Sequence, residues 1–485
     1  MSRQNSTISP ANVRNPNLIG KLSAPLPPAA RQLLDNLLRL AHQHGAPAYL
    51  VGGPLRDLLL DRPSLDLDIT VEADAIDIAR RLATSDPQRR DAPQARLGAE
   101  TGVAATTFEP RVKIHPAFGT ATVRTDGFHL DLITARSETY ARPGALPTVK
   151  PASIREDLLR RDFTINSLAL RLNGPQRGEI LDPAGGLADL DARLIRALHD
   201  RSFQDDATRI LRAVRYASRL EFTIEPGTLA WIERDLPYLQ TISGARLHHE
   251  FSRIFAEEAP EKALRSLHDY GVLAAIHLAL RFDPTQAGAF ARLRQLNPTG
   301  ARAAYSPALA WRLSEPETAD LGRRLALTKA QRAALEAMPA LQDVELSSVA
   351  QGPSLEPAPL RDPHLKRSTL VELLSPFPLP ALWAFAALSD DPTVRDRLLD
   401  YLTKARHERP HLTGDDLIAM GLTPGPAVGE ALRRLRAARL DGEVKSRKDE
   451  ERLAAKLVAT AASALPQRHA DATTPLPAHP EVSKE

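Results

Sequence analysis

The chain has 485 residues, with 63 Lys and Arg against 60 Asp and Glu, a formal net charge of +3 and no cysteine. That length exceeds one ordinary core and predicts several units of roughly 100 to 200 residues each, while the near-balance of charge confines any anion-binding site to local clusters. The lack of cysteine excludes a disulfide framework, a thiolate metal site and a cysteine nucleophile, and it fits a reducing compartment.

The opening MSRQNSTISPANVRNPNL lacks the apolar centre of a secretory signal, and no apolar run is long enough to span a bilayer, so a soluble cytoplasmic protein is expected. Residues 1–25 and 466–485 are polar and proline-containing and are expected to be disordered. From PPAARQLLDNLLRLAHQHG a helix leads into the strand AYLVGG, after which LRDLLLD reads as a helix and LDLDITV as a strand. GTATVRT and FHLDLITA are further strands, the second adjoining a turn at Asp126-Gly127. Beyond about residue 185 strand signals largely vanish, and apolar residues at helical spacing alternate with breaks such as IEPGT, SPFPLP and GLTPGP. The expected fold is α+β and multidomain: a mixed α/β head followed by helical modules.

In LDLDITV, Asp66 and Asp68 stand two apart, so on a strand they project together while Leu65, Leu67 and Ile69 face the other way. Two carboxylates that close repel each other unless a cation sits between them. Mg²⁺ prefers oxygen ligands and bridges carboxylates to phosphates, so the pair suits a metal-bound nucleotide; a solvated edge strand carries the same pattern. Upstream, Gly52 and Gly53 permit close backbone approach to phosphates, and Arg56 can neutralise them.

Gly52, Gly53, Arg56, Asp57, Asp66 and Asp68 together resemble the signature of the tRNA nucleotidyltransferases and bacterial poly(A) polymerases. The resemblance implies a nucleotidyltransferase head in which Asp66 and Asp68 hold catalytic Mg²⁺ while Gly53 and Arg56 contact the triphosphate. The segment from HLDLITA through a mobile loop to RRDFTIN resembles the family's next motif. It implies a triphosphate contact at Arg161 and a third carboxylate, Asp131, that orients or deprotonates the attacking hydroxyl. Asp162 carries a catalytic role in some relatives, or else serves as a structural partner to Arg160 or Arg161.

FQDDATRILRAVRYASRLEF spaces Asp206, Arg209, Arg212 and Arg215 at intervals of three, which adjoin on a helix and commonly mark a solvated face. The stretch also resembles the family motif whose carboxylate and arginine read the base edge of CTP or ATP, with Asp205 where a Glu is usual. The resemblance assigns Asp206 and Arg209 to the base and Arg212 and Arg215 to adjacent nucleotide contacts. An arginine donates where a carboxylate accepts, so such a pair complements a cytosine or adenine edge without a nucleic-acid template.

LTGDDLIAMGLTPGPAVGEALRRLRAARLDGEVKSRKDE resembles the family's tail, where Arg433, Arg434 and Arg436 either hold RNA phosphates or form a solvated basic face. Aromatic residues are 5% of the chain, which favours recognition of tRNA by shape and backbone over base stacking. His199-Asp200, His268-Asp269 and His248-His249 read as ordinary polar helix positions rather than metal centres. The implied organisation is a head at 26–175, a helical neck at 176–260, a body at 261–403 and a tRNA-binding tail at 404–465. The implied reaction is attack of a tRNA 3′-hydroxyl on the α-phosphate of CTP or ATP, completing the CCA end; CC-only, A-only and poly(A) addition are the enzyme alternatives, and a catalytically silent RNA-binding protein on the same fold is the non-enzyme one.

Overall fold

The structure, a computed structural model, describes residues 13–14, 17–62, 65–84, 111–125, 128–346 and 359–463. The chain divides into two compact units, Met1–Ala291 with Leu313–Arg332, and Arg292–Arg312 with Ala333–Glu485.

The first unit is built on an eight-stranded sheet. Its members are β1 (Val13–Arg14), β2 (Ala48–Val51), β3 (Leu67–Val71), β4 (Arg111–His115), β5 (Thr120–Thr125) and β6 (Phe128–Thr134). A hairpin of β7 (Arg136–Thr139) and β8 (Thr148–Pro151) stands outside it, and β9 (Ala169–Arg171) and β10 (Glu179–Leu181) complete the order β1-β10-β9-β2-β3-β6-β5-β4. All pairings in the large sheet are antiparallel except β3 with β6. Leu50, Ile69 and Leu132 lie in one register row and are fully buried, so the alternating apolar residues set which face of β3 the core takes.

Helices α1 (Asn17–Ser23), α2 (Pro28–Gln43), α3 (Gly53–Leu59) and α4 (Ala75–Thr84) accompany the sheet. The expectation of disorder through residue 25 fails here. Leu18, Leu22 and Leu26 recur every fourth residue, and all three are buried, while β1 pairs with β10. Leu18 and Leu22 on one face of α1, with Leu26 in the turn beyond it, outweigh the polar composition around them. The turn at Asp126-Gly127 and residues 466–485 lie outside the described residues.

Helix α5 (Ile154–Leu159) precedes β9, and after β10 the first unit is helical, through α6 (Gly186–Asp191), α7 (Ser202–Asp205), α8 (Thr208–Leu220), α9 (Pro226–Asp235) and α10 (Gly244–Ile254). The near-absence of strand signals past residue 185 has one small exception, a parallel pair of two-residue strands, Leu194–Ile195 with Thr223–Ile224. Gly186 packs so closely on the Thr164 carbonyl that a Cβ there would lie 2.2 Å from the oxygen, and Thr164 Oγ1 donates to Asp189 at 2.6 Å. This ties the start of α6 to the segment that follows α5.

The second unit is helical. Leu379–Leu388 buries nearly its whole circumference, with Phe385 against Trp311 at 6.0 Å between ring centres. A separate cluster of Leu412, Leu417, Leu422, Ala431, Leu435 and Ala454 forms the core of its C-terminal part. Among the described residues no single helix is long and apolar enough to cross a membrane.

Candidate active site

The chain leaves β2 through Gly52, whose φ of +68° suits glycine, and turns directly into α3. A Cβ at Gly52 would lie 2.8 Å from Arg161 Nη1, so the turn makes room for that guanidinium. Asp68 sits within β3 directly beside Asp131 of β6, because the two strands pair in parallel with these residues in register. Asp131 accepts a hydrogen bond from Thr122 Oγ1 at 2.7 Å. Asp66 differs from the expectation: β3 begins at Leu67, so Asp66 lies just outside it with its side chain 74% exposed and 3.8 Å from His129 Nε2. Leu65 is likewise exposed rather than packed with Leu67 and Ile69.

Burial pushes the Asp68 carboxyl up to about 6, the charges of Asp131 and Asp66 add to the rise, and Arg161 opposes it. A divalent cation would relieve both the desolvation and the repulsion. The donors are all carboxylate oxygens, which fits a hard ion such as Mg²⁺ and not a soft one. Among the described residues no group of three or more His, Asp or Glu is gathered closely enough to hold a metal by itself.

Helix α5 begins with a Ser153–Glu156 capping box and presents Asp157 inward, fully buried. Asp157 accepts from Arg160 Nη2 at 2.6 Å and Arg161 Nη2 at 2.8 Å, and these two cations hold its carboxyl below the usual range despite burial. Arg161 is thereby fixed at the cleft with its orientation set from behind.

Arg56 stands elsewhere than the triphosphate assignment implies. It is 1% exposed, donates to Asp57 Oδ1 at 2.8 Å and Asn166 Oδ1 at 2.7 Å, and stacks over Tyr216 at 5.1 Å. It underlies the site wall and braces it. Asp162 pairs with neither Arg160 nor Arg161; its partners are Arg212, Asn166 and the Phe163 amide.

The expected stripe on one helix is also broken. Asp206 precedes α8, where its Oδ1 accepts from Thr208 N at 3.0 Å and Thr208 Oγ1 at 2.7 Å. Asp206 and Arg209 do not pair in this structure. Asp206 Oδ2 takes Arg246 at 2.6 Å, and Arg209 donates to Ser202 Oγ at 2.8 Å and the Arg160 carbonyl at 3.0 Å. Arg215 is 4% exposed, held by Glu257 at 3.3 Å and stacked on Tyr216 at 4.6 Å, which puts it behind the cleft rather than in it.

These elements enclose a cleft of about 730 Å³ lined by Gly52, Gly53, Asp68, Arg161, Asp162, Asp206, Arg209 and Arg212. The sequence reading missed Tyr140 and the α10 face of Arg246, His249 and Arg253, which line the same cleft. Helical spacing puts those three on one side of GARLHHEFSRI, yet nothing local to that stretch says what the side faces. Burial raises the Tyr140 hydroxyl to about 12, and it donates to Glu138 at 3.0 Å.

In the second unit Arg433 and Arg434 are exposed on the helix Pro426–Leu440, both paired with Glu430. Arg436 is turned inward onto the carbonyls of Glu408 and Arg406 at 3.0 and 3.1 Å, so its guanidinium is used in holding the unit together. His199 approaches Asp205 at 4.0 Å and His248 approaches Gln331 at 3.1 Å.

Residues 48–196 match the family of the Poly A polymerase head domain, and residues 221–281 match the family of the probable RNA and SrmB-binding site of polymerase A. The A-adding tRNA nucleotidyltransferase of Halalkalibacterium halodurans is 31% identical over 89% of this chain and 94% of its own length. The CC-adding tRNA nucleotidyltransferase of Deinococcus radiodurans is 34% identical over 89% and 94%. The A-adding enzyme of Geobacter sulfurreducens is 32% identical over 93% of this chain, which spans about half (49%) of that longer protein. Among solved structures, a CCA-adding enzyme in an apo form superposes with a TM-score of 0.70 at 25% identity, covering 93% of this chain and 99% of that one. Matching two of these relatives almost end to end, and carrying the nucleotidyltransferase head in front of a largely helical remainder, the chain belongs to the tRNA nucleotidyltransferase family.

Proposed function

We propose that this enzyme adds C and A residues to the 3′ end of tRNA from CTP and ATP, selecting each nucleotide with protein side chains. The observation that carries this reading is that Asp68, which has Asp131 beside it in the sheet, lines one cleft with Arg161, Asp206 and Arg209. A related CCA-adding enzyme has been solved in complex with CTP, at a TM-score of 0.68 and 25% identity over 93% of this chain.

Asp66 and Asp68 are the residues that would hold Mg²⁺, completed by substrate phosphates and water. The chemistry such ions supply when bound is activation of the 3′-hydroxyl and neutralisation of charge on the departing pyrophosphate. Asp131, held by Thr122, orients the hydroxyl or accepts its proton. Arg161 and Arg212 bind the triphosphate, with Gly52 and Gly53 allowing its approach, and Asp206 with Arg209 faces the base. Arg56 and Arg215 act from behind by fixing Tyr216 and the wall it belongs to. Asp162 keeps Arg212 and Asn166 in place. A head at 26–175, a neck to 260, a body to 403 and a tail to 465 divide this labour, and the exposed Arg433 and Arg434 hold tRNA phosphates.

A second reading, restricted addition of A alone or CC alone, is favoured by the specificity of the two relatives matched almost end to end. The test is incubation of the purified chain with tRNAs lacking the CCA end, ending in CC, or complete, with CTP and ATP supplied separately and together. Complete repair of the shortest tRNA supports full CCA addition. Extension only to CC, or only of the CC-ended tRNA, supports the restricted reading, and long A tracts would replace both with poly(A) synthesis.

A further inference from the structure

What holds a base-reading carboxylate decides what it can read. Asp206 is pinned at both oxygens by groups from two elements: Thr208, at the start of α8, occupies Oδ1 through its amide and hydroxyl, and Arg246, from α10, donates to Oδ2 at 2.6 Å. The Arg246 guanidinium also reaches the Gly144 carbonyl at 3.4 Å and Thr208 Oγ1 at 3.5 Å. Its side chain is 26% exposed and lines the cleft, so it is part of the site wall and not of the core. Arg209 is committed to Ser202 and Arg160, so it leaves the orientation of Asp206 to others.

We propose that Arg246 is a positioning residue for base selection: it locks the Asp206 carboxylate in one rotamer and aims Oδ2 into the cleft, leaving a lone pair there for the incoming base. The inference rests on the base-reading role given to Asp206 above. A carboxylate oxygen has room for two donors, and Arg246 fills one place. The donor that completes it is an exocyclic amino group, present on the pairing edge of cytosine and adenine at the position where uracil and guanine carry a carbonyl oxygen. A carbonyl facing Oδ2 would set acceptor against acceptor. With Arg246 absent, Asp206 keeps Thr208 on one oxygen but can swing the other toward water, and the distinction between amino and carbonyl bases weakens. Triphosphate binding depends on other residues and should hardly change.

The experiment compares Arg246→Ala, Arg246→Lys, Asp206→Ala and the double Arg246→Ala/Asp206→Ala on whichever tRNA the unaltered enzyme extends. It measures kcat/KM for CTP, ATP, UTP and GTP, and inhibition by inorganic tripolyphosphate as a readout blind to the base. Arg246→Ala should lower the preference for amino bases by about tenfold, the scale of one charge-assisted hydrogen bond, with tripolyphosphate inhibition unchanged. Arg246→Lys should recover part of the preference, and the double variant should discriminate no worse than Asp206→Ala. If Asp206→Ala loses base preference while Arg246→Ala keeps it, or if the two losses simply add, the positioning role is overturned. If Asp206→Ala itself keeps full preference, the base-reading assignment falls first. Should Arg246→Ala fail to fold, Arg246→Gln carries the same comparison.

Discussion

Arg212 donates twice to one oxygen of Asp162, from Nη2 at 2.5 Å and Nε at 2.9 Å, while the other oxygen accepts from the Phe163 amide at 2.9 Å and Asn166 Nδ2 at 3.0 Å. Burial would raise the Asp162 carboxyl, but Arg212 and Asn166 outweigh it and hold the group down at about 2. A carboxylate so occupied is a poor proton acceptor and a strong brace.

Asp162→Asn should therefore cost stability more directly than chemistry. Breaking a largely buried pair of this kind costs about 3 kcal/mol. The contribution of Asp162 is complete above the ordinary carboxylate value of 3.8 and is lost as pH falls toward about 2. Thermal melts across that range should show the unaltered chain losing stability faster than the variant, with the variant already less stable at neutral pH. Equal melting temperatures at neutral pH would remove the bracing role.

For Asp68 the sign reverses. Its folded value of about 6 lies above the ordinary 3.8, so the native state holds the proton more tightly and stability falls as pH rises through that window. In the absence of divalent ions, Asp68→Asn should melt at a higher temperature than the unaltered chain near neutral pH. It should also lose nucleotidyl transfer, and added Mg²⁺ should stabilise the unaltered chain more than the variant. Near-normal turnover by Asp68→Asn would sink the metal assignment.

Arg56 and Arg161 should part company in the same pair of assays. Arg56→Ala removes a fully buried cation from Asp57 and Asn166 and should lower stability by about 3 kcal/mol or more. Arg161→Ala leaves Asp157 paired with Arg160, so it should keep most of the stability while weakening CTP and tripolyphosphate binding. Melting curves and nucleotide titrations of the two variants decide it; a stable Arg56→Ala that merely binds triphosphate poorly would return that residue to the cleft.

In the second unit, replacing Arg433 and Arg434 together by Ala should weaken tRNA binding and flatten its salt dependence, each lost phosphate contact taking roughly 0.7 to 0.9 from the log–log slope. Arg436→Ala should instead lower the melting temperature, because it deletes donors to the Glu408 and Arg406 carbonyls. Filter binding over a salt series separates the two effects. An unchanged slope in the double variant would leave Arg433 and Arg434 as a solvated face.

Much of the head was legible locally. Alternation in LDITV and FHLDLIT marks strands because a half-buried strand must alternate, AYLV is a short apolar run buried throughout, and the Gly52-Gly53 turn and the Asp66/Asp68 spacing are properties of adjacent residues. Composition misled at the N-terminus, where three buried leucines, two on α1 and one in the turn after it, outweighed a polar background. FQDDATRILRAVRYASRLEF sends Asp206, Arg209 and Arg212 to the cleft, yet spacing by three did not reveal that Asp206 falls before the helix or that Arg215 points into packed side chains.

By itself the sequence determined the run from α2 through β3, the strands β5 and β6, the resemblance to the family and the neighbourhood of the carboxylates, since these follow from short-range periodicity and motif spacing, while the short strands β1, β4 and β7 to β10 carry no such local signal. Tertiary structure decided which carboxylate has which partner. Asp131 meets Asp68, 63 residues away in the chain, through the parallel register of their strands, Arg246 reaches Asp206 from α10, and Arg212 takes Asp162 from 50 residues away. Ion pairing depends on distance and burial in three dimensions, and neither is encoded in the spacing of any one segment.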